Sequence, residues 1–339
     1  MSSTATDAPL STALPSPLRT FLSRHSSLMP TFAALAIFVV LLITAQLYFG
    51  NFITPRNMSA LLLDNAFLLI LAVGMTFVIV TGGIDLSVGS VLALTGILCA
   101  QLLSDGLSPL LVVPLTILVG AGIGLVIGTL VQYFDVQPFI ASLAGLFLAR
   151  GLAYVVSLKS IRVERSSVLW LETTRFSVGG WYITPTGILA LLVVFVGAFV
   201  MLSTRFGRTV YAVGGSEQSA RLMGLNVGRT KVLVYVISGT CGGLAGLVLT
   251  AYSGAGYPRN GIGTELDVIA AVVIGGTLLA GGTGYVLGSM IGVFVYGTIK
   301  TAISFLGAEQ SWTRISIGLL LLLFIVVQRM IVFRSERQR

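Results

Sequence analysis

Residues 81–90 read TGGIDLSVGS, and Asp85 is the only charge between the apolar runs LLILAVGMTFVIV and VLALTGILCAQLL on either side. A carboxylate so placed has two chemical uses. It can hydrogen-bond a polar solute directly, as intramembrane acids often do. It can also cap free amide groups, since it follows Gly82 and Gly83 and precedes a helical run. Capping of the following helix by Asp85 or Ser87, at a glycine break, is the expected role, with direct solute contact as the alternative. Other chemistry is missing. None of the lysines (Lys159, Lys231, Lys300) ends a G-x-x-x-x-G-K-[ST] phosphate loop, and the single histidine, His25, lies in a polar terminal tail. No H-E-x-x-H and no histidine-based triad is available, so neither ATP hydrolysis nor a hydrolase is expected, and no metal or cofactor. Cys99 and Cys241 both sit in apolar context, which argues against a disulfide framework.

The elements that must hold these groups are set by composition. The 339 residues are 55% hydrophobic and 9% charged, with mean hydropathy +0.99, whereas soluble domains carry roughly a quarter charged residues. A bilayer core needs about 20 apolar residues per helix, and ten stretches supply them: 31–49, 60–80, 84–103, 109–131, 136–157, 183–203, 232–254, 266–281, 284–306 and 313–333. The expected fold is an all-α polytopic membrane protein of about 8–10 spans, some broken at glycine-rich points. The TGG (81–83) and GGTG (281–284) interruptions read either as tight surface turns or as unwound points within the membrane. The second is tolerated only where protein or a wet cavity satisfies the backbone.

Basic residues orient the chain. With the N-terminus inside, the inner side holds Arg19, Arg24, Arg205, Arg208, Arg221, Arg229, Lys231, Arg329, Arg334, Arg337 and Arg339. The outer side holds Arg56, Lys159, Arg162, Arg165, Arg175, Arg259 and Arg314. This places 1–30 as an inner tail, 31–333 as the membrane domain, 334–339 as an inner tail and 158–182 outside. The formal charge of +8 then reflects topology and anionic lipid, not nucleic acid. Arg150 falls inside the fifth span and would snorkel or pair with Asp85 or Asp64. Lys300 would snorkel. The segment YPRNGIGTELD, with Glu265 and Asp267, is expected on the outer side. Glycines spaced by four, in GAGIG with Gly128 and in GTCGGLAG, suit closely packed helices.

The one long inner loop, 204–231, contains GGSEQSARLMG. Ser216 can cap a short helix, Glu217 suits its positive end, Arg221 its negative end, and Gly224 a left-handed close. Two turns are unstable alone, so the helix must dock on something.

The strings GIDLSVGS, RFGRTVYAVGGSEQSARLMGLNV and ELDVIAAVVIGGTLLAGG together resemble the permease subunits of ribose-type sugar ABC importers, from about Asn51 to Gln328. DNAFLLILAVGMTFVIVTGGIDLSVGS, GLSPLLVVPL, SLAGLFLARGLAYVVSLKSI and ISIGLLLLLFIVVQR are most similar to one of the two permeases of galactofuranose importers. The resemblance implies a bacterial inner-membrane channel half with both termini cytoplasmic. Its partners would be a second permease (heterodimer, with a homodimer as the other arrangement), a cytoplasmic ABC ATPase that binds the ATP, and a periplasmic sugar-binding protein. It also implies that 204–231 holds the ATPase-coupling helix, with Gly214, Gly215, Ser216, Glu217, Ala220, Arg221, Met223 and Gly224 as its residues. A neutral sugar in transit favours hydroxyls, amides and carbonyls over fixed charge, which makes Asp64, Asn65, Asp85, Ser87 and Ser90 the path candidates. An ion-coupled transporter using Asp85, or a sister permease with another cargo, are the competing readings.

Overall fold

A computed structural model describes residues 29–163 and 168–336. Most of the N-terminal tail, the last three residues and Arg165 lie outside the described residues. The chain is almost wholly helical. Four helices begin at X-Pro: α2 (Pro55–Asp64), α5 (Pro109–Tyr133), α6 (Pro138–Val156) and α8 (Pro185–Ser203). Proline suits the first helical position, where its missing N–H has no partner to lose. Thr54 and Thr184 add side-chain caps, accepting from Asn57 N at 3.2 Å and Gly187 N at 3.4 Å. The remaining long helices are α1 (Met29–Phe49), α3 (Ala66–Val80), α4 (Val88–Ser104), α11 (Val227–Ser253), α13 (Val286–Phe305) and α14 (Gln310–Glu336). Shorter ones are α7 (Trp170–Thr173), α9 (Arg205–Gly215), α10 (Glu217–Leu222) and α12 (Thr264–Ile274).

Among the described residues, six helices are long and apolar enough to cross a membrane unaided, and α2 with α3 forms a seventh span bent by 51°. Two shorter apolar helices, Val88–Ser104 and Ser311–Phe324, accompany them. With α12 and the coil after it, these elements match the ten apolar stretches of the sequence in order. The bend in 60–80 falls at Asn65, whose side-chain amide donates to Leu61 O at 2.8 Å.

α3 is at the centre. Every residue of it except Phe67 is buried, and it is surrounded by α8, α11, α12 and α13. A helix apolar on all sides belongs inside a bundle. The most extensive pairing is α5 with α11. There Gly120, Gly124 and Gly128 lie on Gly239, Gly243, Tyr235 and Val232, so closely that a Cβ on any of the three would run into partner backbone. Lipid is as apolar as leucine, so this dispersion contact, not the hydrophobic effect, holds membrane helices together. Bulky apolar side chains such as Leu110, Val155 and Phe195 cover the outside.

The connection between α6 and α8 carries β1 (Ile161–Arg162), which pairs antiparallel with β4 (Ala255–Gly256), and the hairpin β2 (Phe176–Val178) and β3 (Trp181–Ile183). Arg175 sits over the Tyr182 ring at 5.0 Å, and Thr186 Oγ1 donates to Glu172 at 2.7 Å.

Two sequence readings are corrected. The stretch 266–281 is helical only to Ile274, and the backbone then turns through Gly276, Gly281, Gly282 and Gly284, all with positive φ. YPRNGIGTELD does not stay at one end of the bundle. Gly256 touches Gly96, Ile97 and Ala100 of α4, whereas Gly261 and Glu265 touch Gly89. The segment therefore descends alongside α4 by 7–11 helical residues, roughly 10–16 Å.

Candidate translocation path and coupling surface

The chain leaves α3 at Val80, and Gly82 takes φ 80° to release it from the helix. Asp85 then binds three donors. Its Oδ1 accepts from Ser87 N at 2.9 Å and Ser87 Oγ at 2.6 Å, and its Oδ2 accepts from Ser238 Oγ of α11 at 2.7 Å. Ser87 O in turn receives Ser90 N and Val91 N, the first turn of α4, and Ser90 Oγ at 2.8 Å. The carboxylate has no exposed surface. The geometry is that of an Asx turn at a glycine break just ahead of α4, whose N-cap residue Ser87 makes no side-chain cap bond to the helix, with an added tie to α11 that residue spacing could not show.

The same geometry corrects the path list. Asn65, Asp85, Ser87 and Ser90 are all buried with their polar atoms bonded inside the chain, so none presents a group to a solute in this conformation. Thr76, Thr81, Thr95, Ser142 and Thr240 bond to carbonyls of their own helices. Asp64 is half-buried and accepts from Tyr252 Oη at 2.9 Å.

A separate polar group lies along the segment that descends beside α4. Arg150 of α6 does not reach Asp85 or Asp64. One guanidinium nitrogen donates to the carbonyls of Pro258 and Asn260, at 2.7 Å each, and Glu265 is the carboxylate whose charge acts on it. Arg259 is exposed, and Arg150, Asn260 and Glu265 are half-buried. Sequence reasoning missed this group because polar residues in a coil carry no periodicity to show where the coil runs.

The two breaks and the inner loop converge. Gly282 N donates to Val80 O at 2.9 Å, and Tyr211 Oη donates to Gly284 O at 2.6 Å. Gly214 lies directly on the backbone of Val80 and Gly282, leaving no room for a Cβ. The TGG turn, the GGTG turn and the Gly214–Gly215 helix end thus form one knot, to which the loop is attached.

That loop holds two helices where one was expected. The amphipathic α9 is capped by Thr204, which accepts from Gly207 N at 3.1 Å. α10 follows, with Ser216 accepting from Ser219 N at 3.2 Å and Gly224 closing it at φ 76°. Glu217 accepts from Arg221 at 2.7 Å and also binds Lys231, at the start of α11. The Lys231 hydrogen bond, against a smaller cost of burial, holds the Glu217 carboxyl below its usual range. Ala220 is fully buried against Val213 and Val227, so its methyl faces the protein and not a docking partner. Leu222 (83% exposed) and Met223 (66%) face outward, beside Arg221.

The chain belongs to the family described as branched-chain amino acid transport system / permease component, whose model matches residues 57–325. It is 45% identical over 304 residues to the inner membrane ABC transporter permease protein YjfF of Escherichia coli K12, covering 89% of this chain and 92% of that one. It is 43% identical to the fructose import permease protein FruG of Bifidobacterium longum, covering 89% and 91%. With the ribose import permease protein RbsC of Escherichia coli K12 it shares 38% identity, over 88% and 94%. No solved structure matches.

Proposed function

We propose that this chain is a membrane-spanning permease subunit of a bacterial sugar ABC importer. It forms half of the path for a monosaccharide in the inner membrane, with both termini cytoplasmic. A periplasmic binding protein delivers the sugar, a separate ABC ATPase binds ATP and drives transport, and a second permease completes the channel. The cargo we favour is galactofuranose or a related furanose or pentose; the relatives named for ribose and fructose import support a sugar.

The observation that carries the reading is the coupling surface. α10 is too short to persist alone, yet it is clamped to α11 through Glu217 and Lys231 and turns Leu222 and Met223 away from the protein. Exposed apolar anchors on a rigid helix are what a groove in a partner receives. Replacing both with glutamate in the assembled importer should abolish uptake and binding-protein-stimulated ATPase together. Sugar affinity of the isolated binding protein should stay unchanged. Normal uptake by that variant would refute the docking role. The sugar held by the binding protein, identified by mass spectrometry, tests the cargo. A branched-chain amino acid is the second reading, favoured by the family description.

A further inference from the structure

We infer that Arg150 and the descending segment 256–263 form the polar wall of the solute path at mid-membrane. There the unused donors of Arg150 and the carboxamide of Asn260 take hydroxyls of a neutral polyol. The inference rests on the sugar-permease reading for its ligand, but its location rests on geometry alone.

Depth comes first. α11 has 27 residues, about 40 Å at 1.5 Å per residue. Ser238, which holds Asp85, is eleven residues along it, about 16 Å. Gly89, one turn beyond Asp85, touches Gly261 and Glu265, which puts them near the middle of the span. α6 agrees: Gly145 packs on Ser87, and Arg150 is five residues further, about 8 Å.

Chemistry follows from depth. Non-helical backbone and exposed charge at this level are excluded from lipid and survive only beside protein or water. Segment 256–263 has both, since its carbonyls at Pro258 and Asn260 are bound by Arg150 and Arg259 is exposed. Only one guanidinium nitrogen of Arg150 is engaged, so its Nη2 and Nε have no partner among the described residues, nor does the Asn260 carboxamide. Glu265 Oε2 is likewise buried without a partner and keeps the charge of Arg150 partly balanced. A planar set of donors beside an amide, with its charge offset, fits adjacent hydroxyls of a sugar and lets them go again, as passage requires.

The test is cysteine accessibility in membranes carrying the whole importer. A charged methanethiosulfonate reagent modifies thiols only where water reaches them, and the native Cys99 and Cys241 are buried. Asn260→Cys and Arg259→Cys should react at least tenfold faster than Phe147→Cys and Val155→Cys, which are exposed on the apolar face of α6. D-ribose, D-fructose or D-galactose, delivered by the binding protein, should slow labelling at Asn260→Cys severalfold. Because Asn260→Ala removes only the side chain, it should change the uptake ranking of those sugars. Labelling no faster than at Val155→Cys would overturn the wall itself. Fast labelling that no solute slows, with an unchanged sugar ranking, would overturn solute contact. Slowing by leucine but by no sugar would overturn the polyol chemistry and the sugar reading together, while leaving the wall in place.

Discussion

Asp85 shows how far residue type alone can go. Its position after two glycines and before a helix predicts a cap; the carboxylate instead closes a turn on Ser87 and takes no first-turn amide of α4. The bond to Ser238 was not legible, because it joins positions 153 apart. That bond sharpens the consequence of substitution. Asp85→Asn keeps an oxygen for Ser87, and Ser238 can turn its hydroxyl to accept from the amide. The variant should fold and transport close to wild type. Asp85→Ala strands buried donors at about 1–3 kcal/mol, and should lower the thermal midpoint of the purified complex. Equal midpoints for the alanine variant and wild type would refute the structural role. Glu217 gives a pH dependence. Its carboxyl is held below the usual range by Lys231, so its contribution is complete above the ordinary glutamate range and is lost as pH falls through the depressed value. Protection of 205–231, taken relative to intrinsic exchange at each pH, should therefore hold above the ordinary glutamate range and decline from there down to the depressed value, and Glu217→Gln should flatten the profile.

At the scale of elements, apolar length found the spans and the Ser216 and Gly224 signals found α10 in place. α9 was overlooked because its apolar face is interrupted by Arg205, Arg208 and glycines that read as loop. The inward turn of Ala220 was equally hidden, since a six-residue helix has no periodicity from which to read a face. Ala220→Trp would therefore lift α10 off Val213 and Val227, and it reports on the helix's own seat, not on docking. The knot invites a cleaner comparison. Gly214→Ala forces a methyl against the backbone of Val80 and Gly282 and should cost about 1–3 kcal/mol, with loss of transport. Gly215→Ala meets open space and should be near neutral in both thermal midpoint and uptake. Similar losses for the two would show that the knot is absent in the working complex.

For the molecule as a whole, the basic-residue count sets an orientation that surface labelling can check. In intact cells a membrane-impermeant thiol reagent should modify Ser177→Cys, in the outer hairpin, and spare Met223→Cys until the membrane is opened. The reverse pattern would invert the topology and place α10 where no cytoplasmic ATPase could reach it.

The glycine seam between α5 and α11 also limits how such a molecule can move. Where Gly120 crosses Gly239 and Gly243 there are no side chains to re-pack, and sliding would drive carbonyl into carbonyl. They must travel as one strut, carrying Ser238 and the end of the Glu217 clasp with them. Alternating access in this half is then a matter of levers around a fixed beam. The bending then falls to the positive-φ glycines at the breaks beyond the ends of α3 and α12. A spin-label pair across the seam would keep one distance through the transport cycle, while a pair from α11 to α12 would report every stroke.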